Sequence, residues 1–179
     1  MHKLESQIFK SKLQTTSEEF KKNKESMIGM LEEIDILLDE AEAGGGPDHQ
    51  KRLAARGKLP VRERIFNFLD PDSPFLEISG LAGYKSDYPV GGGAVAGIGV
   101  CSGIECIIFA NDPTVLAGAM HYYSVKKWMR SMAIARDCRI PFIQFVESAG
   151  GDLRPRGAMS AGAMGCLLYT SDAADETGR

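Results

Sequence analysis

Apolar positions recur with helical spacing near the start of the chain, over residues 5–43, which are otherwise rich in charge. The stripe consists of Phe20, Met27, Leu31, Ile34 and Leu38. Successive intervals of seven, four, three and four place these side chains on one face of a helix. The glycines at 44–46 and Pro47 end it. Because the stripe is short for an isolated coiled coil, we expect this helix to lie across a domain or subunit surface.

Two further helices and a short strand are predicted before residue 80. Pro47 suits the first turn of a second helix, and Gly57 suits its end. A third helix is expected to begin near Pro60. Its buried side is predicted to consist of Val61, Ile65, Phe66 and Leu69. Turn-forming residues follow over 70–74, and residues 75–78 are predicted to form a short strand.

From Gly91 onward the pattern changes to glycine-spaced strands. Two apolar runs, 94–100 and 104–110, are predicted to pair as a hairpin. An amphipathic helix is expected over 122–138, and the nearly unbroken apolar run 142–146 is typical of a buried parallel strand. The apolar face of that helix is predicted to consist of Val125, Trp128, Met129, Met132 and Ala133. Together the second hairpin strand, this helix and the last strand predict a βαβ unit and an α/β fold.

Composition and charge exclude several classes of function. The 179 residues are 44% hydrophobic and 25% charged, which is ordinary for about one globular domain. With 21 basic and 24 acidic residues, the chain lacks the basic excess that nucleic-acid binding requires. No apolar stretch approaches the roughly 20 residues of a membrane span, and no signal core begins the chain. The four cysteines form no CxxC pair, so we expect reduced thiols, no metal and a cytoplasmic location.

The candidate chemistry lies directly after the last predicted strand, in the small-residue loop 147–152. Consecutive backbone N–H groups in such a loop can bind a phosphate or stabilise an oxyanion, although a plain tight turn is the alternative. No P-loop, complete GxGxxG or GxSxG motif is present, and His121 is the only histidine of the glycine-rich part. The cations expected either to meet ligand phosphates or to be solvated are Lys126, Lys127, Arg130, Arg154 and Arg156.

Residues 166–179 differ in character from the rest. Residues 166–176 are similar to the translation of an adapter used in preparing sequencing libraries. We therefore expect 166–179 to be an artefact to which no chemistry is assigned, and a genuine polar tail is the alternative.

Several segments together resemble the carboxyltransferase (beta) subunit of biotin-dependent acyl-CoA carboxylases, of the propionyl- or methylcrotonyl-CoA type. Residues 56–65, with 69–77, resemble the family's N-terminal signature. Residues 111–118 resemble its central strand-to-loop motif, 125–127 its helix start, and 147–153 the position where Asp-Ser-Gly-Gly-Ala is usual. Ala149 departs from that pattern, since many members carry glycine there.

The resemblance implies a crotonase-like (ClpP/crotonase) fold, a spiral of ββα turns that is incomplete here and preceded by N-terminal helices. It implies an N-terminal helical segment over 1–58 and a partial carboxyltransferase domain over 59–165. In the implied reaction, carboxybiotin on a separate carrier domain gives its CO2 to the α or vinylogous carbon of an acyl-CoA, whose enolate is held by backbone N–H groups. The implied oxyanion donors are Ala149, Gly150 and Gly151. The implied acyl-CoA contacts are Gly118, Ala119, Lys127 and Ser148.

The same resemblance implies the partners. These are a biotin carboxylase and biotin carrier (alpha) subunit, further beta subunits in a homo-oligomer, and acyl-CoA, with no nucleic acid and no membrane. The second oxyanion pair belongs to a C-terminal domain, so this chain alone is expected to be inactive. Open alternatives are a biotin-dependent acyl-CoA decarboxylase subunit, a non-catalytic CoA-binding or assembly fragment, and a hydratase of the same fold that uses Glu147 and Asp152.

Overall fold

The computed structural model describes residues 11–152, which contain four helices and a four-stranded sheet. The helices are α1 (Glu18–Ala43), α2 (Pro47–Ala55), α3 (Val61–Phe68) and α4 (Tyr122–Cys138). The strands are β1 (Leu76–Glu77), β2 (Ala94–Cys101), β3 (Ile104–Asn111) and β4 (Phe142–Phe145). A short 3-10 turn occupies Leu116–Gly118. Within 11–152, no helix is long and apolar enough to span a membrane.

The sheet has the order β1-β2-β3-β4, and its connections confirm the predicted hairpin and βαβ unit. β2 and β3 pair antiparallel, with Cys101 opposite Ile104 next to the turn. β3 and β4 pair parallel from Ile107 opposite Phe142 to Ala110 opposite Phe145, and α4 makes the crossover between them. Because β3 and β4 are parallel, their carboxyl ends lie at the same edge of the sheet.

Alternating residues of β3 divide the core into two layers, one on each face of the sheet. One face carries Cys106, Ile108 and Ala110 and packs with the side chains of α3. The other carries Phe109, which packs with Ala94 and Ala96 and with half-buried Trp128 of α4. From Cys106 to Ala110 no residue is more than 1% exposed, so β3 is the centre of the fold.

α3 buries three of the four residues predicted for its apolar side. Val61, Ile65 and Leu69 are 1 to 7% exposed and recur every fourth residue. The prediction for Phe66 is wrong, because its side chain is 57% exposed. It lies one position past the buried row, and its ring makes an edge-on contact with Phe75, with 6.0 Å between the ring centroids.

The bounds predicted for α4 are confirmed, but its predicted apolar face is only partly correct, since Trp128 is half-buried against the core. The helix buries Ser124, Lys127, Ser131 and Ala135, whereas Met129 and Met132 are exposed. Three of these four buried side chains are small. The serine hydroxyls stay hydrogen-bonded, because Ser124 and Ser131 donate to the carbonyl oxygens of His121 and Lys127.

Lys127 is the unexpected member of this buried face. Its Nζ donates to the carbonyl oxygens of Ala94, at 2.7 Å, and Gly91, at 3.2 Å, and lies 3.9 Å from the Glu77 carboxylate. Burial lowers the pKa of Lys127 to about 8, against an opposing effect of Glu77. The lysine therefore ties α4 to the start of β2, on the inside of the protein.

β4 is half-buried along its length, so the prediction of a buried strand is wrong. It is an edge strand of the described sheet, with a neighbour on one side only. Val146, directly after it, is 71% exposed.

α1 is shorter than predicted and buries none of its residues. It begins at Glu18, where the Ser17 hydroxyl accepts the N–H of Phe20 and so caps the first turn. The predicted apolar stripe lies within it and is exposed from Met27 to Leu38. Residues 11–17 are not helical, and residues 5–10 lie outside the described part of the chain. The chain divides into two compact units between Ile36 and Leu37, within this helix.

We predict that Lys127 makes stability depend on alkaline pH. Its pKa of about 8 in the folded protein is below the ordinary 10.5, so the unfolded chain binds this proton more tightly. The resulting cost is complete below about pH 8 and is relieved as the pH rises from there towards 10.5. The unfolding free energy of wild type relative to Lys127→Met should therefore grow over that interval, measured by thermal unfolding.

Lys126→Met, on the exposed side of the same helix, is the control for removing a lysine from α4. If the difference between wild type and Lys127→Met stayed constant across this pH range, the prediction would fail.

Candidate functional site

The candidate site lies where β3 and β4 end at the same edge of the sheet. The two segments that follow, 116–120 and 147–152, hydrogen-bond to each other, and we call them the paired loops. The N–H of Ala149 donates to the carbonyl oxygen of Ala117 at 3.0 Å. Met120 donates to Gly150 at 2.7 Å and accepts from Asp152 at 2.8 Å. Two loops distant in sequence thus behave as one short extension of the parallel sheet.

The residues expected to donate to an oxyanion differ in how their N–H groups are used. The N–H of Ala149 is taken by Ala117, as above. The N–H of Gly150 donates to the Ser148 hydroxyl at 3.1 Å, which is a local turn. Among the described residues, the N–H of Gly151 has no acceptor, because the bridge to Met120 uses the groups of its two neighbours. The loop 148–151 is exposed, so a ligand can reach these groups.

Gly118 fixes how closely the paired loops approach. Its φ is +71°, and a Cβ there would overlap the backbone carbonyl of Glu147. The two residues before it, Leu116 and Ala117, also have positive φ values, of 49° and 53°. Non-glycine residues in this conformation are strained, and such strain often accompanies functional sites. Ala119 follows in extended conformation and carries the chain back to the bridge at Met120.

Glu147, the first residue of the second loop, is paired with two cations. Its carboxylate lies 2.5 Å from the Nζ of Lys58 and 3.0 Å from a guanidinium nitrogen of Arg64. Arg64 also donates to the backbone carbonyl of Asn111 at 3.2 Å. Each oxygen of this carboxylate is thus occupied by a cation, which argues against the hydratase alternative.

Of the cations predicted from the sequence, the three that the structure describes do not gather at this site. Lys127 is buried against β2, and this differs from the expectation that it contacts acyl-CoA. Lys126 lies over the ring of Tyr122, 4.3 Å from the centroid, and Arg130 is exposed on α4. Arg154 and Arg156 lie outside the described residues.

A cleft beside the paired loops carries cations that were not predicted from the sequence. Its volume is about 460 Å³, and it lies between α2 and the segment 113–117. Its basic lining consists of His49, Arg52 and Arg56. In the described chain neither arginine has a carboxylate partner. With Leu53 these residues recur at intervals of three, one and three, which is one face of a helix and the signal that would have found them.

Ala117 and Glu147 also line this cleft, so it reaches the paired loops. Because Glu147 is neutralised by Lys58 and Arg64, its charge does not cancel that of the two free arginines. Gly45 allows the cleft wall to form, since a Cβ there would overlap the carbonyl of Thr114. Its N–H donates to the Thr114 hydroxyl at 3.0 Å.

His121 has a structural position at the start of α4. Its backbone N–H donates to the Ser124 hydroxyl at 2.7 Å, and its ring stacks on Tyr88 with 4.3 Å between centroids. Over residues 11–152, no three His, Cys, Asp or Glu side chains are grouped so as to hold a metal ion.

The fold and the site define a class: an α/β protein with accessible backbone N–H groups at a parallel strand end, beside an arginine-lined cleft. This combination suits an anionic ligand with phosphates at one end and a developing oxyanion at the other. The chain belongs to the carboxyl transferase domain family, which matches residues 52–176.

Individual relatives agree with this family. A probable biotin-dependent acyl-coenzyme A carboxylase beta2 subunit of Mycobacterium tuberculosis is 49% identical over 128 residues, which are 72% of this chain and 24% of that protein. The geranyl-CoA carboxylase beta subunit of P. aeruginosa superposes with a TM-score of 0.68 at 36% identity. The match covers 81% of this chain and 28% of that one.

A transcarboxylase 12S structure with methylmalonyl-coenzyme A bound gives a TM-score of 0.70 at 27% identity, over 80% of this chain and 29% of that one. These carboxyltransferases confirm the crotonase-like α/β fold that the resemblance implied. The chain spans about a quarter of the length of the relatives it matches.

We predict that Gly118→Ala disrupts the paired loops. The added methyl group meets backbone atoms of Glu147, two residues past the end of β4. The loss in unfolding free energy should reach about 3 kcal/mol or more, from overlap added to an unfavourable φ. Urea unfolding of the chain measures it.

Gly103→Ala is the matched control, because Gly103 has nearly the same φ, +75°, and open space at its Cβ. It should cost only about 1 kcal/mol. Equal losses in the two variants would mean that the close approach at Gly118 is unimportant.

Proposed function

We propose that this chain is part of the carboxyltransferase subunit of a biotin-dependent acyl-CoA carboxylase. The observation that best supports this proposal is that the paired loops present backbone N–H groups at the end of an arginine-lined cleft. Membership of the carboxyl transferase domain family supports the class of reaction. The proposed organisation is a helical segment over 1–58, a partial catalytic domain over 59–165, and an adapter-derived tail over 166–179.

The proposed chemistry of this chain is stabilisation of the acyl-CoA enolate by backbone groups around Ala149, Gly150 and Gly151. The hydrogen bonds favour Gly150 and Gly151 as the donors, since the N–H of Ala149 is committed to Ala117. The bond from Gly150 to the Ser148 hydroxyl is local and exposed, so a charged oxygen can replace it. Each such donor is typically worth a few kcal/mol in the transition state. Alanine fits at position 149 because it is not among the residues with positive φ.

The proposed path of the acyl-CoA runs from the cleft to the paired loops. Arg52, Arg56 and His49 would meet its phosphates, which favour paired guanidinium groups. Gly118, Ala119 and Ser148 would line the path of the pantetheine arm towards Gly151. Lys127 has no part in this path, because its ammonium is buried against β2.

When bound, carboxybiotin supplies the carboxyl group, and it is proposed to arrive on a separate biotin carrier. No biotin site is assigned to the described residues. We propose that the second oxyanion pair lies in a C-terminal domain, so this chain alone would be inactive. The proposed partners are an alpha subunit with biotin carboxylase and carrier, and further beta subunits. The cytoplasmic location stays a prediction that cell fractionation tests.

We predict carboxylation of an acyl-CoA by the complete subunit. The complete reading frame, obtained by long-read sequencing across the codons for 163–176, would be co-expressed with a biotin carboxylase and a biotinylated carrier. Labelled bicarbonate should enter an acyl-CoA only when ATP and biotinylated carrier are both present.

A folded complete subunit that neither binds CoA thioesters nor incorporates label would contradict the proposal. Release of CO2 from a carboxylated acyl-CoA, with no forward reaction, would instead favour the decarboxylase.

We predict that Arg52→Gln and Arg56→Gln each raise the KM for acyl-CoA roughly tenfold, the effect of about 1.4 kcal/mol of lost binding. The acyl-pantetheine analogue lacks the nucleotide phosphates, so its KM should change little. Steady-state kinetics of the complete subunit with both substrates gives the comparison.

Arg136→Gln is the control, because Arg136 is exposed and pairs with its neighbour Asp137. If the cleft variants raised both KM values equally, the cleft would not be the phosphate site.

A further inference from the structure

Arg64 of α3 joins the carboxyl ends of the two parallel strands. One guanidinium nitrogen lies 3.0 Å from the carboxylate of Glu147, two residues past the end of β4. Another donates at 3.2 Å to the backbone carbonyl of Asn111, the last residue of β3. The side chains of Arg64 and Glu147 are both 23% exposed. A single planar group therefore contacts both strand ends at the point where the paired loops begin.

This contact lies beyond the last backbone pairing of the two strands. The register between β3 and β4 ends with Ala110 opposite Phe145. The next residue of the second strand, Val146, is 71% exposed and adds little packing. Arg64 is thus the group that links Asn111 to Glu147 where strand pairing has stopped.

Two further contacts connect the partners of Arg64 to the paired loops. The side-chain amide of Asn111 donates to the carbonyl of Gly118 at 3.1 Å. The backbone of Glu147 packs directly against Gly118. Arg64, Asn111, Gly118 and Glu147 therefore form a closed circuit, and the loop that carries Gly150 and Gly151 leaves from it.

We propose that Arg64 is a positioning residue for carboxyl transfer, with Glu147 as its partner. It touches neither substrate nor cofactor, and it acts by fixing where the 148–151 N–H groups stand relative to the cleft. This inference rests on the proposed function. Its consequence is kinetic: the enolate oxygen needs its donors in place to within a fraction of an ångström, whereas substrate binding in the arginine cleft does not depend on that placement.

The chain offers a matched control two residues away on the same helix. Arg62 makes a bidentate ion pair with Glu77, at 2.5 and 3.2 Å. Its side chain is 21% exposed, close to the value for Arg64. Glu77 belongs to β1, which lies at the opposite edge of the sheet from β4. Loss of this pair removes a comparable contact of α3 without touching the paired loops.

The test compares Arg64→Met with Arg62→Met in the complete subunit, assembled with biotin carboxylase and carrier. Arg64→Met should lower kcat about 100-fold, the effect of a displacement near 1 Å, while the KM for acyl-CoA changes less than about threefold. Arg62→Met should keep kcat within about threefold of wild type. Melting temperatures of both variants show whether the two losses of stability are similar.

Two milder variants keep the proposal testable if Arg64→Met does not fold. Arg64→Lys cannot span both partners and should give an intermediate kcat. Glu147→Gln retains shape but loses the charge, so it should lower kcat in the wild type and add little to Arg64→Lys. Equal kcat values for the Arg64 and Arg62 variants, or strictly multiplicative effects of Arg64→Lys and Glu147→Gln, would overturn the inference. An inactive wild-type subunit would instead defeat the proposed function.

Discussion

The parallel pairing of β3 with β4 is the constraint on which the rest of the described structure depends. Parallel neighbours must be joined by a crossover, here α4, and they must end at the same edge of the sheet. That edge places 116–120 beside 147–152 although about thirty residues separate them. Four backbone pairs hold the strands, and where the pairs stop, Arg64 and the close contact at Gly118 take over. The site is thus an extension of the sheet rather than a separate loop feature.

The regular elements of this fold follow from the sequence, because the patterns that specify them are local. The hairpin around Ser102, the crossover helix and the last strand lie where periodicity and turn residues predict them. Which side chains are buried does not follow from the sequence in the same way. Two residues of the apolar face predicted for α4, Met129 and Met132, are exposed, while Ser124 and Ser131 are buried. A serine hydroxyl that is hydrogen-bonded to its own helix can be buried in a close helix-sheet contact. A pattern of hydrophobic residues does not show which serines are buried in this way.

The same difference applies to the candidate site. The loop 147–152 was identifiable, since small residues after an apolar run indicate accessible backbone groups. Its hydrogen bonds were not, because Ala117 and Met120 belong to a segment that only the sheet brings near. The cations were harder still to predict: the resemblance implied Lys127, which is buried against β2, whereas the cleft takes its charge from Arg52 and Arg56, much earlier in the chain. Spacing shows which face a residue shares, and only tertiary packing shows what that face meets.

A site that works through backbone N–H groups needs no reactive side chain. The sequence must instead specify where the backbone of the loop lies. No acid, base or nucleophile is required at 148–151, so the residues there can be small, and even Ala149 is acceptable because its N–H serves the loop contact. The charged side chains nearby instead hold the loop in place, because Glu147 is paired with both Lys58 and Arg64. Such a site is recognised by which strand ends are held together and how closely, and Gly118, which tolerates no side chain, lies where the two loops approach most closely.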